Sequence, residues 1–294
     1  MTRAFLRPRD LHDLVAEQFG SDRRLSSLDR LTGGSKKGVY RLGLDDQTTV
    51  ILYAWAPDEN YWPPSPAVPD DPFTDASGAD LFATNHAALS AAGVRIPHLM
   101  LLDRDGNYLD VDIALLEDAG ALRLEALLER APAAAADPLS ALGDALRRMH
   151  TTYGPHFGKL AAIARGEASQ TRRCEDVIVD RALGHLDAAA ARDDRLADAH
   201  HRIAAHVGHL RSNVAPRSTY VLVHDELGPD HVLVTPDGEP VLIDFEGLAY
   251  FDVEWEHAFL RMRFGDAYPA LRPVDRQWML DLAEWNITKA LAAI

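Results

Sequence analysis

The stretch from Val221 to Leu260 carries ten carboxylates and no lysine or arginine: Asp225, Glu226, Asp230, Asp237, Glu239, Asp244, Glu246, Asp252, Glu254 and Glu256. Several sit at the edges of short apolar runs, which would gather them at the ends of a small hairpin. Like charges so gathered repel by kilocalories unless a cation lies among them, and a divalent metal or a polycationic ligand would resolve that conflict. The core of the pattern is Val223-His224-Asp225-Glu226-Leu227-Gly228-Pro229-Asp230-His231, followed by Leu242-Ile243-Asp244-Phe245-Glu246-Gly247. Carboxylates so placed can orient or deprotonate an acceptor hydroxyl, and can supply hard oxygen ligands to magnesium. A second constellation stands upstream at Gly33-Gly34-Ser35-Lys36-Lys37-Gly38. Glycine lets a backbone approach a phosphate closely and offer it free N–H groups. Alone, that pattern reads better as a hairpin turn with two solvated lysines, an order that the acidic loops downstream reverse. Composition adds weight, because the chain has four lysines and two are here, the others being Lys159 and Lys289.

These residues need elements to position them. A helix is expected over Leu11 to Gln18, with Asp10 as its cap and Leu11, Leu14 and Val15 on one face. From Leu28 to Leu44 short apolar pieces flank the glycine-rich turn, reading as strand, turn, strand, and Thr48 to Trp55 is a third strand rich in β-branched and aromatic residues. Six prolines between Pro57 and Pro72 predict an exposed loop. Ala79 to Ala92 is helical in composition, and Leu99 to Leu102 with Leu109 to Leu116 forms a hairpin. The first ~117 residues thus make a five-stranded sheet with one embedded helix. Beyond Glu117-Asp118-Ala119-Gly120 come helices at Leu122 to Arg130, Leu139 to Thr151, Cys174 to Ala190, Ala197 to Leu210, Glu254 to Phe264 and Gln277 to Ala293. Short strands at Tyr220 to Val223, Val232 to Val234 and Val241 to Ile243 interrupt them.

The two acidic loops resemble the catalytic and metal-binding loops of the aminoglycoside phosphotransferase and choline kinase-like family, related to protein kinases through a His-x-Asp-x-x-x-x-Asn loop and a downstream Asp. The glycine-rich turn and an acidic hinge at Glu117-Asp118 stand upstream in the expected order, so the resemblance covers almost the whole chain. It implies an α+β, bilobal protein-kinase-like fold. An antiparallel-sheet N-lobe over residues 1–117 would bind nucleotide, and a mostly helical C-lobe over 118–294 would carry the catalytic and metal loops and the acceptor site. ATP or GTP would be the phosphoryl donor, its base bonded by backbone near Leu116, Glu117 and Asp118 and its phosphates beneath Gly34, Ser35, Lys36 and Lys37.

By the same resemblance Asp244 holds Mg2+ and Glu226 occupies the place of the catalytic Asp, as base or orienter of the acceptor hydroxyl. Glutamate reaches ~1.5 Å farther than aspartate, so Asp225 remains the alternative. His224 matches a structural histidine that braces the backbone around the metal-binding Asp. His231 stands where the commoner pattern has Asn as second metal ligand. Imidazole is a softer donor, so direct ligation, a water-mediated contact and a hydrogen bond to Glu226 are all open to it. Two departures concern the phosphates: the third strand has no lysine to grip them, and the following helix has no glutamate to pair with one, Asp80 being its nearest acid. Lys36 or Lys37 is therefore expected to take over, as a point charge on a flexible stem.

The formal charge of −15, from 45 acids against 30 Lys and Arg in 294 residues, argues against a nucleic-acid partner and for a cationic one. The acceptor is accordingly expected to be a hydroxyl on a polycationic small molecule, faced by Glu246, Asp252 and Glu254. The resemblance puts an antibiotic first, either an aminoglycoside or a basic cyclic peptide of the viomycin and capreomycin type, with resistance as the outcome. An amino-alcohol metabolite is a further option. The single cysteine, Cys174, excludes an intrachain disulfide and suits a reducing cytoplasm. The charged N-terminus does not read as a secretory signal, no apolar run approaches the ~20 residues of a membrane span, and no feature gives the oligomeric state. Two other classes compete: a pseudokinase that binds nucleotide without turnover, and a metal-dependent hydrolase using His224, His231 and Asp244.

Overall fold

The computed structural model describes residues 5–32, 36–61, 72–73, 77–167, 172–275 and 281–283. Gly34 and Ser35, most of the proline-rich stretch and most of the final expected helix lie outside the described residues. Helix α1, His12–Phe19, buries Leu14 and Val15, with Leu11 buried just ahead of it, as their spacing predicts. Strands β1 (Leu25–Arg30), β2 (Gly38–Leu44) and β3 (Thr49–Ala54) form an antiparallel meander. Helix α2 (Ala79–Ala91) follows, then β4 (Leu99–Asp103) and β5 (Ile113–Glu117), giving the strand order β1-β2-β3-β5-β4.

The period-2 alternation of side chains gives this sheet two different faces. Tyr40, Leu42, Leu52, Ala54, Ile113 and Leu115 pack under α1 with Leu11 and Leu14. Val39, Arg41, Ile51 and Tyr53, the intervening residues, line a cleft. The strand expected from Leu109 begins only at Ile113. The preceding residues are instead wound around the Asp103 carboxylate, which accepts the backbone N–H groups of Asp105 and Tyr108 and the Asn107 side-chain amide.

After the hinge come α3 (Leu124–Arg130), α4 (Ala136–His150), the two-residue strands β6 (Tyr153–Gly154) and β7 (Gly158–Lys159), and α5 (Leu160–Ala164). Helices α6 (Cys174–Ala190) and α7 (Asp194–Ser212) pack against each other and lead into β8 (Tyr220–Val223), β9 (Val232–Val234), β10 (Pro240–Leu242), β11 (Ala249–Phe251) and α8 (Val253–Phe264). The expected bounds of α6, β8 and β9 coincide with the observed ones. Strands β6, β7 and β11, which join β8 in the order β6-β8-β11-β7, were not foreseen.

One apolar core runs through both lobes. Phe82 and Leu89 of α2 share a cluster with Tyr53 and Leu116 of the sheet, and with Leu142, Leu146, Leu222, Leu242 and Phe245 of the C-lobe. Full burial of such a side chain contributes roughly 1.5–3 kcal/mol, so packing of α2 does much to tie the lobes together. A second cluster, with Ile178, Val207, Phe251 and Trp255, stabilises the far side of the helical lobe. The architecture is the expected two-lobed α+β arrangement.

Candidate active site

The catalytic loop leaves β8 at Val223 and returns as β9. His224 is fully buried, and its Nε2 donates to the carbonyl of Ile243 at 3.1 Å, bracing the residue before Asp244. Burial, aided by the neighbouring His231, pushes its pKa down to about 4, which keeps it a neutral donor. Asp225 takes a left-handed conformation, φ +79°. Its Oδ1 accepts the Trp255 indole N–H at 2.6 Å, and its own N–H donates to Glu256 Oε2 at 2.9 Å. Burial raises its pKa well above the usual carboxylate range. Its carboxylate is thus engaged in the C-lobe interior, whereas the neighbouring Glu226 is exposed. Of the two acids proposed by sequence as base, Glu226 is the accessible one.

His231 closes the loop. Its Nδ1 lies 2.9 Å from the Glu226 carbonyl, and a carbonyl can only accept, so Nδ1 carries a proton, and in the neutral ring Nε2 presents a lone pair. That Nε2 lies 3.7 Å from Asp244 Oδ2. The hydrogen bond to Glu226, one of the three options left open by sequence, is therefore made through the main chain. A Cβ at Gly228 would lie 2.5 Å from Arg263 Nη2, so any larger residue there would have to displace the guanidinium that holds Asp230 at 2.6 Å.

The metal-binding loop begins where β10 ends. Asp244 is left-handed, φ 61° and ψ 43°, a conformation Asp adopts more readily than most residues. Its side chain is half exposed and lines the cleft. Burial acts to raise its pKa, but the Lys37 ammonium and His231 prevail and hold it down at about 2. Phe245 stacks on Phe82 of α2, centroids 5.3 Å apart. Asn85, also on α2, donates its side-chain amide to the carbonyls of Phe245 and Glu246 at 2.9 and 3.1 Å. The helix therefore grips the loop by its backbone rather than through a carboxylate.

Lys37 reaches the same place from the N-lobe. Its ammonium lies 2.5 Å from Glu246 Oε1, 3.0 Å from Asp244 Oδ1 and 4.8 Å above the Tyr53 ring. Burial acts to lower its pKa, but Glu246 and Asp244 overcome this and raise it, so the side chain stays charged. Lys36, its half-buried neighbour, has only its backbone carbonyl engaged among the described contacts, by Ser77 at 3.4 Å.

Between these groups lies a cavity of about 290 Å3. Val39 and Ile51 form its roof, Leu233 and Ile243 its floor, and the hinge residues Glu117 to Ala121 its back wall. An apolar slot backed by the hinge suits a purine, and Lys37 with Asp244 at its mouth suits the phosphates. Leu116 does not contribute as expected. It is buried within β5, paired with Leu99 on one side and Ile51 on the other, so the usable hinge starts one residue later. Arg95 pairs with Glu117, and Arg41 with Asp118 at 2.6 Å, which fixes the side chains on either side of the hinge.

The carboxylates expected to face the acceptor are placed elsewhere. Asp252 caps α8 by accepting the Glu254 N–H at 2.8 Å, and Arg217 meets both, at 3.0 Å from Asp252 and 2.9 Å from Glu254. Both acids are buried, and neither lines the cleft. Glu246 is buried against Lys37. The cations that sequence could not find within Val221 to Leu260 come from outside it: Lys37, Arg95 (3.4 Å from Glu239), Arg217 and Arg263. Sequence reasoning missed Asn85, Arg217 and Trp255 as supports of the site, since each acts across at least 30 positions.

The arrangement accommodates a hard divalent cation. Asp244 offers a carboxylate to the cleft, with the His231 lone pair beside it, and magnesium binds through one or two carboxylates together with substrate phosphates. Among the described residues no group of three or more His, Cys, Asp and Glu converges on a metal position. The hydrolase arrangement has little support here, because His224 is buried with its Nε2 committed to Ile243. No helix among the described residues is long and apolar enough to cross a membrane.

Comparison with known proteins gives a consistent result. The model of the phosphotransferase enzyme family matches residues 33–285. No curated protein matches the chain by sequence. Among solved structures, aminoglycoside phosphotransferase APH(4)-Ia superposes with a TM-score of 0.59 at 16% identity, covering 98% of each chain. Spectinomycin phosphotransferase APH(9)-Ia, in complex with ADP and spectinomycin, gives a TM-score of 0.63 at 12% identity over 99% of this chain and 87% of that one. A GDP complex of aminoglycoside 2'-phosphotransferase-IIIa gives 0.60 at 16% identity, covering 96% and 88%. The fold is that of the kinase-like aminoglycoside phosphotransferases.

Proposed function

Since the chain belongs to the phosphotransferase enzyme family, we propose that it transfers the γ-phosphoryl group of ATP or GTP to a hydroxyl of a basic antibiotic. The observation that carries this reading is the meeting of the Lys37 ammonium, the cleft-facing Asp244 and His231 at one cavity, with the exposed Glu226 on the same loop as His231. The purine would lie between Val39 and Ile51 above and Leu233 and Ile243 below, with its edge toward the backbone of Glu117 to Ala121. Glu226 accepts the proton of the acceptor hydroxyl as the oxygen attacks phosphorus, and His231 holds the Glu226 main chain in place while doing so. Asp244 would hold Mg2+, with the His231 Nε2 as a neighbouring ligand directly or through water. Bound there, the ion neutralises charge developing on the phosphates. Positioning and charge neutralisation are most of what phosphoryl transfer asks of a protein.

The choice of acceptor rests on similarity. Solved neighbours of the same fold were captured with hygromycin B together with ADP or AMP-PNP and with spectinomycin together with ADP, and another with GDP. An aminoglycoside is the first acceptor proposed for this chain, a basic cyclic peptide of the viomycin and capreomycin type the second, and drug resistance in the cytoplasm the outcome. The excess of acidic residues favours approach of a cation at long range but builds no acidic pocket, since the buried acids of the C-lobe already have internal partners. A panel of basic antibiotics and amino alcohols, incubated with nucleotide and magnesium and read by mass spectrometry, tests the reading. Addition of a phosphate to a basic antibiotic is the expected result. Phosphorylation of amino alcohols alone would shift the acceptor to a metabolite, and nucleotide binding with no turnover anywhere would make the chain a pseudokinase.

A further inference from the structure

A kinase-like cleft normally grips nucleotide phosphates with a lysine from the third strand, aligned by a carboxylate from the helix that follows. In this chain the corresponding space above β3 is filled by the ring of Tyr53, edge-on to Trp55 at 6.1 Å and to Phe82 at 5.7 Å. The helix presents Asn85 in place of an acid, and its amide is spent on the carbonyls of Phe245 and Glu246. Directly over the Tyr53 ring sits the ammonium of Lys37, which enters from the residue before β2. Its closest partner is Glu246, a carboxylate borne by the metal-binding loop itself.

Both members of the pair are more than nine-tenths buried, yet Lys37 lines the cavity wall. The second carboxylate oxygen of Glu246, Oε2, is buried and has no hydrogen-bond partner among the described residues. Glu246 can therefore keep hold of the ammonium with either oxygen when Lys37 turns. The Lys37 contact to Asp244 differs in kind, because Asp244 is half exposed and faces the cleft. One ammonium thus has a buried anchor on one side and a displaceable contact on the other.

We propose that Lys37 and Glu246 are the phosphate-gripping ion pair of this enzyme, relocated to the edge of β2 and to the metal loop, and that the Lys37–Asp244 contact is the one surrendered when metal and nucleotide enter. The inference rests on the nucleotide-binding reading above. Lys37 is the group that touches phosphate, and Glu246 is a positioning residue acting through it. The device also links the glycine-rich turn of the N-lobe to the metal loop of the C-lobe, residues 207 apart in sequence.

The test is calorimetric titration of ADP with magnesium into the full chain and its variants, with melting curves to verify folding. Lys37→Met and Glu246→Gln should each weaken binding by about tenfold or more, since each leaves a buried charge without its partner. The double variant should bind no more weakly than the poorer single, because the two act as a unit. Tyr53→Lys added to Lys37→Met should recover part of the loss by restoring an ammonium from the third strand. Binding by Lys37→Met within about twofold of the parent, losses that multiply in the double variant, or no gain from Tyr53→Lys would each overturn the pair. Should Lys37→Met fail to fold, Glu246→Gln decides alone: unaltered affinity refutes the proposal. Tight binding by the parent that is indifferent to both substitutions condemns the pair only, whereas a parent chain that binds no nucleotide refutes the kinase reading itself.

Discussion

Two acidic regions of the C-lobe, close in sequence, are neutralised in opposite ways. At the start of α8, Asp252 and Glu254 share the guanidinium of Arg217, and all three side chains are largely shielded from solvent. At the metal loop, Asp244 and Glu246 share the single ammonium of Lys37, with Asp244 open to the cleft. A planar guanidinium with fixed donors suits a permanent pair, while an ammonium on a flexible stem suits one that must yield. Acid density alone does not mark a functional site. What marks it is whether the counter-charge is locked in place or can be replaced by a ligand.

This contrast can be broken in several ways. The largest effect is expected from Asp244→Ala, which should lower phosphoryl transfer by about 1,000-fold or more while leaving the melting temperature near the parent's. Loss of fold instead would make Asp244 structural. Arg217→Met should do the reverse, costing about 3–5 kcal/mol in urea unfolding by stranding two buried carboxylates, with turnover per folded molecule unchanged. A changed acceptor Michaelis constant in that variant would return Asp252 and Glu254 to the acceptor site. Glu226→Gln should reduce kcat about 100-fold with little change in stability.

Acid pH sharpens the comparison further. Burial holds His150 and His257, in α4 and α8, at about 3 and about 4, below the ordinary 6.5. Their contribution to stability is therefore whole above pH 6.5 and is lost as pH falls toward 3–4, at about 1.4 kcal/mol per pH unit for each. Asp244, held near 2, keeps its charge throughout that window. Stability measured by circular dichroism should consequently fall as pH drops from 6.5 toward 4, and a melting temperature indifferent to pH in that window would contradict the burial of the two imidazoles. The smallest change, within a few-fold in kcat, is expected of Asp225→Asn, since an amide oxygen still accepts the Trp255 N–H.

Long periodic elements were legible in the sequence. Helix α6 and strands β8 and β9 have the expected bounds because each pairs a clear apolar period with a sharp terminator. Strands β6, β7 and β11 escaped because their two or three residues lack the β-branched run that marks β9, and β5 began late because the Asp103 turn consumed residues with strand composition. In the site, the two acidic loops stood out by motif spacing and the Lys36-Lys37 pair by the scarcity of lysine, but sequence did not choose between the two lysines. The fate of individual acids was not. Whether Glu254 faces a substrate or Arg217 depends on packing between a helix start and a loop 37 positions away, which local sequence does not encode.

The amide of Asn85 has one more implication. A helix that holds the metal loop by two hydrogen bonds to backbone carbonyls and by a ring stack, and that also rests on α5 of the opposite lobe, has no cheap route to a swung-out state. An amide, unlike a carboxylate, neither titrates nor repels an incoming phosphate. A helix so held keeps the loop that bears Asp244 seated against the sheet, whatever the charge in the cleft.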